Sequence, residues 1–176
     1  MNAPATAATD APVRWTDLRI EPLTPEGFAP FGTVLAAQAD GQPFGSADAV
    51  LDLARGTPRF YTMRVPGGSL SVKQITRHRK VTQALASAGG HSWVMAVAPP
   101  LNIDLPDAEP ALADIRAFRI PGDVAIALHR GTWHAGPLFE ATEASFFNLE
   151  LVDTNVVDHH TCHLVRRYGT ALRLVD

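Results

Sequence analysis

The chain has 176 residues, 46% of them hydrophobic and 19% charged, which is enough to bury the core of one globular domain. Fifteen basic and eighteen acidic residues give a formal charge of −3, so there is no basic excess for binding nucleic acid. No apolar run approaches the roughly 18 residues of a membrane-spanning helix. The single cysteine, Cys162, lacks an internal disulfide partner, which predicts a reducing, cytoplasmic location.

The first 13 residues are small residues and proline for the most part, and they are predicted to form a disordered tail before a single domain at 14–176. Thr24 as cap and Pro25 at the first helical position predict a short helix. After it, short apolar runs separated by proline and glycine are typical of an all-β protein. Strands are predicted at 33–35, 59–65, 69–78, 91–98, 115–120, 124–128, 146–152 and 163–167.

Alternation along two of these strands places polar side chains on defined faces. In 69–78, a period of two puts Thr76 and His78 on the face of Leu70 and Val72, which predicts that both point inward. In 146–152, the same period places Glu150 on a polar face, opposite the apolar residues of that strand.

The segment from His129 to His134 is the most informative for chemistry. A strand ends there, Gly131 permits a tight turn, and His134 follows three residues later. An imidazole in that position can bind a metal ion or transfer a proton at the mouth of a barrel. We expect His78 and Gln83, five residues apart across a turn, to converge on His134.

These residues resemble the two motifs of the cupin superfamily. The matching frames are Thr76-x-His78 with Gln83, and His129-x-Gly131-x-x-His134. The chain is more closely similar to one cupin family, the ureidoglycolate lyases. That resemblance covers roughly residues 18–140 and is carried by the segments 22–34, 77–83, 116–118, 129–134 and 137–138.

The resemblance implies a cupin-type antiparallel β-barrel (a jelly roll, or double-stranded β-helix) with one or two short helices. It also implies a lyase that splits ureidoglycolate into glyoxylate and urea in the breakdown of purines through allantoin. A homodimer is expected from the family and from the nearly all-apolar strand 91–98.

Such a reaction needs a base for the hydroxyl proton, an acid for the leaving nitrogen and a cation for the substrate carboxylate. His134, His78 and Glu150 are the candidate acid–base residues. The candidate substrate-binding residues are Arg130, Arg77, Lys73 and His129. Strict alternation points Arg77 away from His78, so its carboxylate role requires a bulge or turn.

A divalent metal is a further expectation, with His78, Gln83 and His134 as its ligands. Imidazole and oxygen donors suit nickel, manganese or zinc, but three neutral ligands predict weak binding. No organic cofactor is expected. A second zinc site at Asp158, His159, His160 and His163 is an open alternative.

Three alternative functions remain open at this point. The chain could be a cupin enzyme acting on another small hydroxy- or keto-acid. It could be a hydrolase that releases ammonia and carbon dioxide from ureidoglycolate. It could also be a non-catalytic cupin that binds a small carboxylate.

Overall fold

A computed structural model describes residues 12–176. Over these residues, two curled β-sheets form a half-barrel with three short α-helices, which confirms the predicted cupin-type all-β fold. The predicted tail, residues 1–13, lies outside the described residues except for its last two positions. No helix within 12–176 has the length and apolar character needed to cross a bilayer.

The strands are, in chain order, β1 (Arg14–Pro22), β2 (Gly32–Leu35), β3 (Pro58–Pro66), β4 (Ser71–Val72), β5 (Gln74–Arg77), β6 (Gln83–Ser87), β7 (Trp93–Ala98), β8 (Arg116–Ile120), β9 (Ala125–Leu128), β10 (Trp133–Leu138), β11 (Glu143–Leu151), β12 (His160–His163) and β13 (Thr170–Val175). The helices are α1 (Pro25–Phe28), α2 (Thr154–Val157) and α3 (Leu164–Tyr168), and a 3-10 turn covers Leu112–Asp114. The larger sheet has the order β12-β5-β10-β7-β8-β1-β13-β4, and the smaller has the order β2-β9-β6-β11-β3.

Strand β7 lies inside the larger sheet and is buried on both faces. Its odd-numbered residues join the core between the two sheets, and its even-numbered residues join a second core on the opposite face. A strand that is covered on both faces has a continuous run of apolar residues in its sequence. Because one chain already buries this strand completely, its sequence gives no reason to expect a partner chain.

The N-terminal helix forms as its sequence predicts. The Thr24 hydroxyl accepts a hydrogen bond from the Gly27 amide at 3.0 Å, and Pro25 occupies the first turn. The helix directs Phe28 into the core between the sheets, where it packs edge-on against Phe118. This contact anchors the chain where it enters β2.

Two predicted strands differ from the structure. The segment 69–78 is interrupted at Lys73, and Val72 and Ile75 contact the same core, so the face that points inward changes at the break. The predicted strand 163–167 is wrong because residues 164–168 form α3, which Gly169 ends with a left-handed φ of 67°. The chain ends instead in β13, which pairs in parallel with β1.

Candidate active site

A cavity of about 430 Å³ lies between the two sheets. Strands of both sheets and the segment that includes α2 form its walls. The polar and ionisable side chains that line it include Tyr61, Lys73, Thr76, His78, Gln83, His134, Asn148, Asn155 and His159. A cavity of this size with a few convergent polar groups suits a small polar ligand.

Strand register and one glycine turn bring the two predicted histidines together. His134 on β10 lies directly opposite Thr76 on β5, and His78 is two residues further along. Gly131 adopts a φ of 80°, and its amide donates to the His78 carbonyl at 2.6 Å. A Cβ at Gly131 would lie 2.7 Å from Ile103, so the turn requires glycine. The two imidazole centroids are 5.1 Å apart, which places both rings in one site.

Backbone carbonyls fix the tautomers of both imidazoles. His78 donates from Nδ1 to the Asp158 carbonyl at 2.5 Å, and His134 donates from Nδ1 to the Thr132 carbonyl at 3.1 Å. A carbonyl oxygen only accepts, so each Nδ1 carries the proton and each Nε2 keeps a lone pair. Each ring therefore presents one nitrogen that can accept a proton.

The surroundings keep both rings neutral. Burial, together with smaller effects of the neighbouring His78 and His159, lowers the pKa of His134 to about 3, and the hydrogen bond to the Thr132 carbonyl opposes this shift only in part. Burial also lowers the pKa of His78, although the Asp158 carbonyl and carboxylate partly oppose that shift. Two rings this close resist carrying two charges, so the pair accepts one proton far more readily than a second.

Glu150 is buried behind the cavity wall, where three side chains bind its carboxylate. The Tyr61 hydroxyl and the Gln83 amide each donate to it at 3.0 Å, and the Asn155 amide donates at 3.3 Å. The predicted alternation of β11 is correct, and its polar face is the one that points inward, with Glu150 buried and Phe147 exposed. Its neighbours occupy its oxygens, so Glu150 is not placed as a base beside the histidines.

Sequence reasoning missed the segment that covers the histidine pair. The buried Asp158 carboxylate accepts from the Arg79 and Lys80 amides at 2.8 and 2.6 Å, while its carbonyl orients His78. His159 lines the cavity, with its ring 5.6 Å from that of His78. The adjacent acidic and imidazole residues at 158–160 are the available signal, which the sequence relates only to an alternative zinc site.

The contacts of that cluster do not form the alternative zinc site. Asp158 is committed to backbone amides, and His160 accepts from Arg77 at 3.2 Å. Across residues 12–176, no group of three or more His, Cys, Asp or Glu side chains is arranged to hold a metal ion.

Of the predicted cationic residues, the structure brings only Lys73 to the cavity. Arg130 donates to the Arg79 carbonyl at 3.0 Å and pairs with Asp52 at 3.2 Å, away from the cavity. His129 contacts the Ala29 carbonyl at 3.1 Å and faces a different pocket beside α1. Arg130 and His129, which the sequence predicts to bind substrate, therefore lie outside this cavity.

Arg77 also lies outside the cavity, because strand alternation points it to the opposite face from His78. It is fully buried over the Trp133 ring and donates to the Leu105 carbonyl at 2.7 Å. It also donates to the carbonyls of Asn102 and Pro106 at 3.4 Å. These contacts attach the loop after β7 to β5, which makes Arg77 a structural residue of the strand that leads into His78.

The expected metal ligands, His78, Gln83 and His134, all line the cavity. They offer two imidazole nitrogens and one amide oxygen, and the Glu150 carboxylate behind them is engaged by other side chains. An amide oxygen is a poor third ligand beside two imidazoles, so this set is weaker than three histidines or a set that includes a carboxylate. This donor set does not fit a tightly bound divalent metal.

The half-barrel with a neutral imidazole pair in its cavity defines a cupin-type enzyme equipped for proton transfer. A family model for ureidoglycolate lyase matches residues 41–166, and the chain belongs to the ureidoglycolate lyase family. The match begins after the segment 22–34 and continues beyond residue 140 through α2 and β12, so it includes the segment that covers the histidine pair.

Curated relatives agree with the family match. The ureidoglycolate lyase of Stutzerimonas stutzeri (strain A1501) is 32% identical over 131 residues, which cover 66% of this chain and 72% of the relative. The ureidoglycolate lyase of Pseudomonas fluorescens (strain Pf0-1) is 34% identical over 131 residues, which cover 66% and 74%. Membership of this family makes the protein a lyase.

Proposed function

We propose that this protein cleaves ureidoglycolate to glyoxylate and urea, as a cytoplasmic enzyme of purine and allantoin breakdown. The family and its relatives carry this activity in their names, and nothing in the match favours another acid, hydrolysis or a non-catalytic role. The observation that carries the proposal is the His78–His134 pair, with two unprotonated Nε2 atoms in one cavity.

The substrate carries its hydroxyl and its ureido nitrogen on the same carbon. One imidazole of the pair accepts the hydroxyl proton at Nε2 as the C–O bond becomes a carbonyl and the C–N bond breaks. The resulting imidazolium protonates the departing nitrogen, so the proton count is unchanged and the products are glyoxylate and urea. A bound substrate carboxylate helps this step, because a nearby negative charge raises the pKa of an imidazole.

A product assay on racemic ureidoglycolate tests this function directly. Urea and glyoxylate should appear in equal amounts, without ammonia, and the rate should be similar with a chelator and with added nickel, manganese or zinc. Ammonia in place of urea would identify a hydrolase. Binding without turnover would identify a non-catalytic protein.

Lys73 is the cation proposed to bind the substrate carboxylate, because no other Lys or Arg of the described residues lines the cavity. Lys73→Ala should raise KM by about tenfold and change kcat little, since a lost charge-assisted hydrogen bond weakens binding by about that factor. The matched control is Lys80→Ala, which removes an exposed lysine bound to the Val157 carbonyl. Equal KM values for the two variants would contradict the role of Lys73.

The neutral histidines should make stability depend on pH. His134 has a pKa of about 3 in the folded protein against 6.5 for the free side chain, so the unfolded state binds protons first as the pH falls. Its contribution is therefore complete above about pH 6.5 and is lost progressively below it. Thermal melting between pH 7.5 and 5 should show a smaller loss of Tm for His134→Gln than for the unsubstituted protein. Parallel pH profiles would show that His134 does not titrate as described.

We also propose that the protein is a homodimer, as the family resemblance implies. The apolar strand β7 does not support this, but Phe60 and Phe147 stack at 5.6 Å on the outer face of β3 and β11, and Phe60 is 68% exposed. Light scattering at micromolar concentration should give twice the mass of one chain, and Phe60→Glu should lower it. A single-chain mass for the unsubstituted protein would refute the dimer.

A further inference from the structure

Two buried amide oxygens on the cavity wall have no hydrogen-bond partner among the described residues. They are Oε1 of Gln83 and Oδ1 of Asn148. Both side chains line the cavity, and they are only 8% and 2% exposed. Buried polar atoms in folded proteins are nearly always paired, so two unpaired acceptors in one cavity indicate a ligand that supplies donors.

The hydrogen bonds around Glu150 explain why both amides present oxygen. A carboxylate only accepts, so Gln83 must turn its NH₂ group toward Glu150, which leaves its oxygen free. Burial raises the pKa of Tyr61, so its hydroxyl keeps the proton that it donates to Glu150. The Tyr61 oxygen then accepts from the Asn148 NH₂ group at 3.0 Å, which leaves the Asn148 oxygen free as well.

Resting on the proposed function, we propose that the oxygens of Gln83 and Asn148 form a subsite that accepts hydrogen bonds from the two hydrogens of the terminal ureido NH₂ of the substrate. A ureido group carries a terminal NH₂ and an inner N–H, whereas an acid of similar shape with a methyl in place of the NH₂ offers fewer donors. A site built from fixed acceptors rejects the analogue that lacks a donor, because its own buried oxygens are then left unpaired.

The proposal gives Glu150 a new role. It is a positioning residue that orients the Gln83 amide directly and the Asn148 amide through Tyr61. The side chain in Glu150→Gln could donate as well as accept, so it would no longer force the two amides to keep their oxygens unpaired by the protein. The acid–base candidate of the sequence thus becomes part of substrate selection.

Calorimetric binding of two inert ligands tests the subsite without turnover. N-carbamoylglycine and N-acetylglycine share a carboxylate, an inner N–H and a carbonyl, and differ in a terminal NH₂ or CH₃ of similar size. The unsubstituted protein should bind N-carbamoylglycine at least about tenfold more tightly, as expected for a buried hydrogen bond. Equal affinities, or no binding of either ligand, would overturn the subsite.

Substitutions at positions 148, 83 and 150 then show which residues distinguish the two ligands. Asn148→Leu and Gln83→Met keep similar shapes but remove one acceptor each, so each should reduce the affinity ratio to about threefold or less. Glu150→Gln should reduce the same ratio while leaving the affinity for N-acetylglycine within about threefold. Gln38→Met is the control, because Gln38 is exposed and bound to Asp48 far from the Glu150 network. If Asn148→Leu does not fold, Gln83→Met carries the test.

The outcomes separate this inference from the proposed reaction. If folded Gln83→Met and Asn148→Leu keep the affinity ratio of the two ligands, other residues must distinguish them. That result would overturn the subsite even if ureidoglycolate is cleaved. A lost ratio in those variants, in a protein that does not cleave ureidoglycolate, would support the subsite and refute the proposed reaction.

Discussion

His134→Ala is expected to lower kcat by about 10²-fold or more, the range for a lost acid–base group. The Thr132 carbonyl holds the ring so that its free Nε2 can accept a proton, and the Asp158 carbonyl holds His78 in its own place, so His78 does not take the position of the lost ring. Added imidazole should restore part of the rate if the lost function is proton transfer rather than packing. The rates are measured as urea formed from ureidoglycolate.

His163→Ala is the matched control, because His163 is exposed at the end of β12 and does not line the cavity. It should keep its activity within about twofold, since exposed substitutions away from a site rarely matter. Near-full activity of His134→Ala at every level of added divalent metal would show that the site is elsewhere.

The motifs that could be predicted are those set by local backbone chemistry. Gly131 and the three-residue spacing to His134 indicate a turn, and the structure places His134 beside His78 through that turn. The Thr24-Pro25 start of α1 likewise depends on neighbours in sequence. Such features can be predicted from the sequence because the interacting groups are only a few residues apart.

Features that depend on residues far apart in the chain could not be predicted from the sequence. Strand β1 was not predicted, because its pairing with β13 and β8 joins segments far apart in the chain. The sequence does not indicate which face of β11 points inward, because the buried side carries a polar network and hydrophobicity does not mark it. Arg130 and His129 adjoin the correct turn, yet contacts with Arg79 and Ala29 hold them outside the cavity.

The same argument applies to Arg77, which looked like a carboxylate anchor and is expected to be a stability residue. Arg77→Met should lower the free energy of unfolding by about 2–4 kcal/mol, because several carbonyls lose a charged donor inside the protein. The leading loss is the 2.7 Å bond to the Leu105 carbonyl, together with the contact over Trp133. Methionine retains much of the apolar stem, so the loss reports the guanidinium rather than a cavity.

Guanidinium chloride unfolding measures this change against Arg64→Met. Arg64 is a highly exposed arginine whose pair with Glu143 is 3.4 Å long, and an exposed pair contributes about 0–1 kcal/mol. Because Arg77 precedes His78 on the strand, its loss should also reduce activity through disorder of β5, while Arg64→Met should leave activity intact. Equal unfolding midpoints for the two variants would mean that the loop after β7 is held by other contacts.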